Sequence, residues 1–191
     1  MRNVLARGIG NAAIQIGEVL VGQKWRRNKK HPFWLAEWEF FLFGKDGNLL
    51  RRWMRENTLL DDGEQMLLDI GFRAAAQGSF YLGVANDTPL ETDTLADLAG
   101  EPVGNGYARQ ALARNSTDWP VLALNSGDYQ VISKLVTFTA SGGSIGPVNI
   151  MFLCDAASGT VGKYIAWASL SEAITLGDAE SLGCKIKVKL M

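Results

Sequence analysis

From about residue 33 onward, short apolar runs recur between clusters of Gly, Asn, Asp and Ser. Phe33 to Phe43 is dense in Phe and Trp and sets Glu37 and Glu39 on one face, the pattern of a strand with one side covered. Lys45-Asp46-Gly47-Asn48 supplies an Asp-Gly turn and Leu49 to Arg55 returns, which predicts a hairpin. Asp61-Asp62 reads as an acidic helix start. Met66, Leu67, Ile70 and Phe72 to Ala76 fit a short amphipathic helix ended by Gly78. Ser79 to Ala85 predicts a strand, and Thr88 to Gly100 an acidic loop with a single turn at Thr94 to Leu98. Strand patterns recur at Tyr107–Ala113, Tyr129–Ala140, Pro147–Cys154, Lys163–Leu170 and Gly183–Leu190. Strands at this spacing, with no helices between the later ones, predict a mainly β fold: a β-sandwich of jelly-roll type with one short helix.

The first 32 residues break this pattern. Gly8, Gly10, Gly17 and Gly22 punctuate apolar, extended-looking runs at Ala13-Ile14-Gln15-Ile16 and Val19-Leu20-Val21. Lys24-Trp25-Arg26-Arg27-Asn28-Lys29-Lys30 follows, closed by His31-Pro32, whose proline holds the preceding backbone extended. An extended N-terminal arm with a basic linker over residues 1–32, followed by a β-sandwich domain over 33–191, is the predicted organisation. A length of 191 residues suits one domain with an appended arm.

Composition agrees, with 47% hydrophobic and 20% charged residues and 21 glycines that fall in the turn clusters. No stretch approaches the roughly 18 to 20 apolar residues of a membrane span, and no apolar segment with a cleavage site opens the chain, so a soluble product that stays in the cytoplasm where it is made is expected. Cys154 and Cys184 sit in no metal-binding spacing and are expected to be buried free thiols. The net charge of −1 conceals a division. Residues 1–55 hold eleven Lys/Arg against four Asp/Glu, or +7, and residues 56–191 hold eight against sixteen, or −8. Such asymmetry concerns association.

Candidate chemistry is thin. His31 is the sole histidine and lies in the basic linker beside proline, which leaves a hydrolytic triad without its base. Gly8-Ile9-Gly10-Asn11-Ala12-Ala13 spells a dinucleotide fingerprint, but only seven residues precede it and no βαβ unit follows. Asp87, Glu91, Asp93 and Asp97 share a loop whose spacing matches no EF-hand, so a solvated acidic loop is expected over a cation site. No carboxylate pair stands out as a glycosidase site, and Asn115-Ser116-Thr117 is a formal glycosylation acceptor without a secretion signal. No enzyme activity, cofactor or metal is expected.

The surface chemistry is more telling. Lys24, Trp25, Arg26, Arg27, Lys29 and Lys30 interleave cations with an aromatic, as a nucleic-acid strip does, yet the acidic remainder opposes such a partner. Docking onto an acidic protein surface is the expected use, with Arg51, Arg52 and Arg55 extending the strip. Eight large aromatics fall between Trp25 and Trp53, and the adjacent Phe40 and Phe41 must face opposite sides of a regular strand. A second covered face, and with it a homo-oligomer, is therefore expected.

One likeness runs through the later chain. Phe80-Tyr81-Leu82-Gly83-Val84-Ala85-Asn86-Asp87-Thr88-Pro89, then Thr92 to Leu98, then Gly106-Tyr107-Ala108-Arg109, give an aromatic strand, a Thr/Asp-rich loop and a G-Y-A-R strand. Val136 to Ala140, Gly146 to Leu153, Gly162 to Ala166 and Gly177 to Leu182 continue the order, and Asn57 to Glu64 resembles its entry. Across about residues 33–191 the chain resembles accessory structural proteins of tailed-bacteriophage virions. The resemblance implies a capsid decoration (cement) protein or a tail, neck or fibre-attachment component, located in the virion and touching major capsid, tail or neck proteins. The alternative is a receptor- or carbohydrate-binding β-sandwich module of the phage tail.

Overall fold

The computed structural model describes residues 35–73, 76–125 and 127–189, so the N-terminal arm and Lys24, Trp25, Arg26, Arg27, Lys29 and Lys30 lie outside the described residues. Eleven strands and one helix are described: Leu35–Phe43 (β1), Leu49–Glu56 (β2), Thr58–Leu59 (β3), Asp61–Phe72 (α1), Phe80–Ala85 (β4), Gln110–Leu112 (β5), Val121–Asn125 (β6), Asp128–Ile132 (β7), Val136–Thr139 (β8), Ile145–Cys154 (β9), Tyr164–Leu176 (β10) and Ser181–Lys189 (β11). They form two antiparallel sheets. One runs β2-β1-β11-β7-β6 with β8 also on β11, and the other runs β3-β10-β9-β4-β5. The mainly β, antiparallel expectation holds. The winding of a jelly roll is not established by this order, in which the hairpins β1–β2, β6–β7 and β9–β10 each stay within one sheet.

Between the sheets lies one core. Ala36, Trp38, Phe40, Phe138, Leu182 and Ile186 from the first sheet meet Leu82, Val84, Met151, Leu153, Ala168 and Leu170 from the second. Phe40 is fully buried and stacks on Trp53 with ring centroids 5.3 Å apart. Replacing it by Ala would cost about 3–5 kcal/mol in lost transfer energy and cavity. A second cluster (Leu60, Ala85, Leu95, Ile150, Phe152, Cys154 and Tyr164) covers the outer face of the second sheet. Both faces of β9 are thus dry, which is why Ile150 to Cys154 reads as an unbroken apolar run.

The predicted strand Tyr129–Ala140 is two strands, β7 and β8, which share one edge of β11. The interruption has a chemical cause. Ser133 receives the Ile186 amide on its hydroxyl at 2.9 Å and gives its own amide to the Ile186 carbonyl at 2.8 Å. Lys134 then turns to Asp118, donating its amide to the carbonyl at 2.7 Å and its ammonium to the carboxylate. The predicted strand at Tyr107–Ala113 shrinks to Gln110–Leu112 because Tyr107 and Arg109 are spent on a polar cluster, and β6 was not predicted. α1 carries Asp61, Asp62 and Glu64 in its first turn, where the helix dipole favours them. Gly63 lets α1 press against β10, since a Cβ there would come within 2.2 Å of the Ile165 carbonyl oxygen. Among the described residues no helix is long and apolar enough to cross a membrane.

Candidate docking surface

The basic residues assigned to docking divide by their neighbours. Arg51 pairs with Glu172 and lies over the Trp53 ring at 4.7 Å, and Arg52 pairs with Glu39 on the adjacent strand. Arg55 is exposed, and its guanidinium donates to the Met54 carbonyl at 3.2 Å. Of the three, Arg55 alone has no carboxylate partner among the described residues. The outward Phe41 stacks with Phe43 at 6.3 Å and is covered by Arg52 and Lys185, at 5.7 and 5.8 Å from its ring. Two cations of the same chain therefore lie over the outward ring of the Phe40-Phe41 pair. Glu37–Lys187 and Lys189–Asp128 complete a lattice of ion pairs on that sheet face.

The acidic loop serves the fold. Asp87 accepts the amides of Thr88 and Ala99, at 2.7 and 3.0 Å, and Asp93 accepts that of Leu90 at 2.8 Å. The amide and hydroxyl of Thr94 hold the Asp97 carboxyl below its ordinary value. These caps set Leu95 and Leu98 down on the second apolar cluster. Among the described residues no group of three or more His, Cys, Asp or Glu side chains is placed to hold a metal ion. Beside the loop, Arg109 grips Glu101 through two contacts of 2.7 Å and donates to the carbonyls of Ala156 and Gly159 at 3.0 and 2.8 Å. Its guanidinium lies 5.2 Å from the Phe152 ring, and Tyr107 donates to the same Glu101 at 2.7 Å. Burial raises the Tyr107 phenol far above its ordinary value. Cys154 and Cys184 are free and buried as expected. Burial pushes the Cys154 thiol up to about 11 and the Cys184 thiol well above its ordinary value.

Among the described residues, one set of exposed apolar side chains lies together at one end of the first sheet. β6 is its outermost strand, and Leu122 pairs with Val131 and Leu124 with Tyr129 across the hairpin, so these four share a face. Leu122, Leu124 and Tyr129 are 73%, 63% and 61% exposed. Beside Val131 an open cavity of about 300 Å³ is walled by Leu67, Ile70, Phe80, Arg114, Trp119, Val131 and Val188. Sequence reasoning missed this hairpin. Its signal was present, because Val121-Leu122-Ala123-Leu124 and Tyr129-Gln130-Val131 flank Asn125-Ser126-Gly127-Asp128, a turn cluster used only to mark a boundary.

The class of protein so defined is an antiparallel two-sheet β protein with a dry core and, among the described residues, largely paired charges on one sheet face. The model of the podophage GP4 fiber I protein gp80 family matches residues 59–187, about two thirds of the chain. The chain belongs to that family: it is a structural protein of a tailed-phage virion, among other virion components. No curated protein matches it.

Proposed function

We propose that the protein is a non-catalytic fibre component of the phage particle, joined to neighbouring subunits through the β6–β7 hairpin. The observation that carries this reading is the face formed by Leu122, Leu124 and Tyr129, beside a sheet edge that is unpaired among the described residues. An open edge offers backbone donors and acceptors to another strand, and an apolar rim beside it gains by leaving water. The fibre description of the family favours a fibre over a shell decoration. Burial raises both thiols and so makes Cys154 and Cys184 poor nucleophiles. Within this reading Lys24, Arg26, Arg27, Lys29, Lys30 and Arg55 contact acidic surfaces of neighbours, with Trp25 among them.

The test is the pair Leu122→Asp and Leu124→Asp in the full chain. Two like charges on the hairpin face should shift the sedimentation coefficient of the purified protein to that of a monomer and remove it from particles assembled in infected cells. Circular dichroism should stay unchanged, because both side chains are already in water. Incorporation of the double variant at wild-type copy number would sink the proposal.

A further inference from the structure

The inner face of the first sheet runs on past the core. Ala36 pairs with Val188, Val188 with Val131 and Val131 with Leu122, and partners across strands share a face. Along this row Ala36 is buried in the core, Val188 packs against it and Leu122 stands in water. The hairpin thus overhangs its own sandwich, with Leu124 and Tyr129 as the adjacent exposed pair.

Register decides what the overhang offers. Asn125 and Asp128 close the hairpin around residues 126 and 127, and a two-residue loop closes on a pair that exchanges both backbone hydrogen bonds. Alternation then commits Val121 and Ala123 to β7. The amides and carbonyls of Leu122 and Leu124 are left directed at the open side of β6. Position 120 has the same parity but is proline, so the row of donors stops at Leu122.

A strand that fits this edge is short, uncharged and apolar at alternate positions. β6 itself meets that description. It reads Val-Leu-Ala-Leu-Asn, without a charge and with Leu on either side of Ala123. Turned end for end about Ala123, Leu122 of one copy falls opposite Leu124 of the other, and no like charges meet. Asp128 lies beyond the turn on β7 and is paired with Lys189 at 3.1 Å. β2, the opposite end of the same sheet, would bring Arg51, Arg52 and Arg55 against their own counterparts under the same operation, and charge of this kind keeps native edges apart.

We propose that the occupant of this edge is a second copy of the chain, whose β6 pairs antiparallel with β6 about a two-fold axis at Ala123 and joins the two sheets into one. The proposal rests on the hairpin reading above and names its partner. Leu122 of each copy exchanges both backbone bonds with Leu124 of the other, so the outward donors and acceptors are met. Each leucine gains an apolar neighbour across the junction, where it now meets water. Ala123 faces its own counterpart at a Cα separation of about 4.5 Å, the spacing of a pair without backbone bonds.

Disulfide formation in the full chain reads this register. A disulfide spans Cα separations of roughly 4.4–6.8 Å, so Ala123→Cys sets two thiols within reach across the axis. Val121→Cys is the comparison, because it lies opposite Asn125 of the second copy and away from its own counterpart. The native Cys154 and Cys184 are buried in both variants. Under mild oxidation Ala123→Cys is expected to give a disulfide-linked dimer at least tenfold faster than Val121→Cys. A mixture of Leu122→Cys and Leu124→Cys chains should crosslink faster than either variant alone. Equal rates at 121 and 123, no dimer through residue 123, or a mixture no faster than its parts would each overturn the two-fold pairing. The failures separate. If Leu122→Asp/Leu124→Asp is lost from particles while Ala123→Cys forms no dimer, the hairpin contact stands and its partner is a different virion protein. Incorporation of that aspartate variant at wild-type copy number sinks both readings.

Discussion

Arg109→Met tests whether the polar cluster beside the acidic loop is a latch or an ornament. The arginine side chain is 1% exposed and the Glu101 side chain 25% exposed. Methionine keeps much of the aliphatic volume and removes the charge, both contacts to Glu101, both loop carbonyl contacts and the approach to the Phe152 ring. Removing one partner of a buried ion pair costs about 3–5 kcal/mol, mainly because the other charge is stranded. Here water reaches Glu101, and Tyr107 still donates to it, so the low end applies, about 3 kcal/mol. For a chain of this size that lowers Tm by about 6–12 °C. Calorimetry on the full chain measures the shift, and a cycle with Glu101→Gln tests its cause. Neutralising the stranded carboxylate should restore more than about 1 kcal/mol, so the double variant should lose less than the sum of the singles. A loss below about 1 kcal/mol for Arg109→Met, or strict additivity in the cycle, would refute the latch.

Three further outcomes are expected. Gly63→Ala pushes a Cβ to within 2.2 Å of a backbone oxygen and should cost about 1–3 kcal/mol, read as a lower urea midpoint at unchanged slope; an unchanged midpoint would show that α1 is free to slide. Because burial raises Cys154 from an ordinary 9.0 to about 11, the unfolded chain loses that proton first: its contribution to stability is full below about pH 9 and is lost as pH rises toward 11, and both thiols should resist a maleimide at pH 8 until the chain is denatured. Arg52→Ala breaks an exposed pair with Glu39 and should cost less than about 1 kcal/mol, whereas a larger loss by chemical denaturation would make the charged lattice a true support of the sheet.

How far the sequence foretold these features depended on whether a feature was local. The β1–β2 hairpin, α1 and β9 were readable because periodicity and an Asp-Gly turn operate over a few residues. β7 and β8 were merged because the break between them is imposed from outside, by Asp118 and by the Ile186 backbone, and nothing near residue 133 announces those partners. The Tyr107–Arg109 segment kept the alternation of a strand while its side chains were committed to Glu101 across a loop.

The same distinction governs the surface. Lys24 to Lys30 and Arg51 to Arg55 look alike as runs of cations, but register sets Arg52 opposite Phe41 and diagonally within reach of Glu39, and the tertiary fold brings Glu172 to Arg51, 121 residues apart. A charge that has found a partner within its own chain has less to offer a neighbour, because the desolvation cost of a new contact is no longer offset by an unspent attraction. Apolar side chains follow the opposite logic: Leu122 and Leu124 were assigned to no strand, and both stand largely exposed among the described residues. Among the described residues the charges on this sheet face are largely paired while Leu122 and Leu124 stand exposed, and the proposed hairpin contact rests on that contrast.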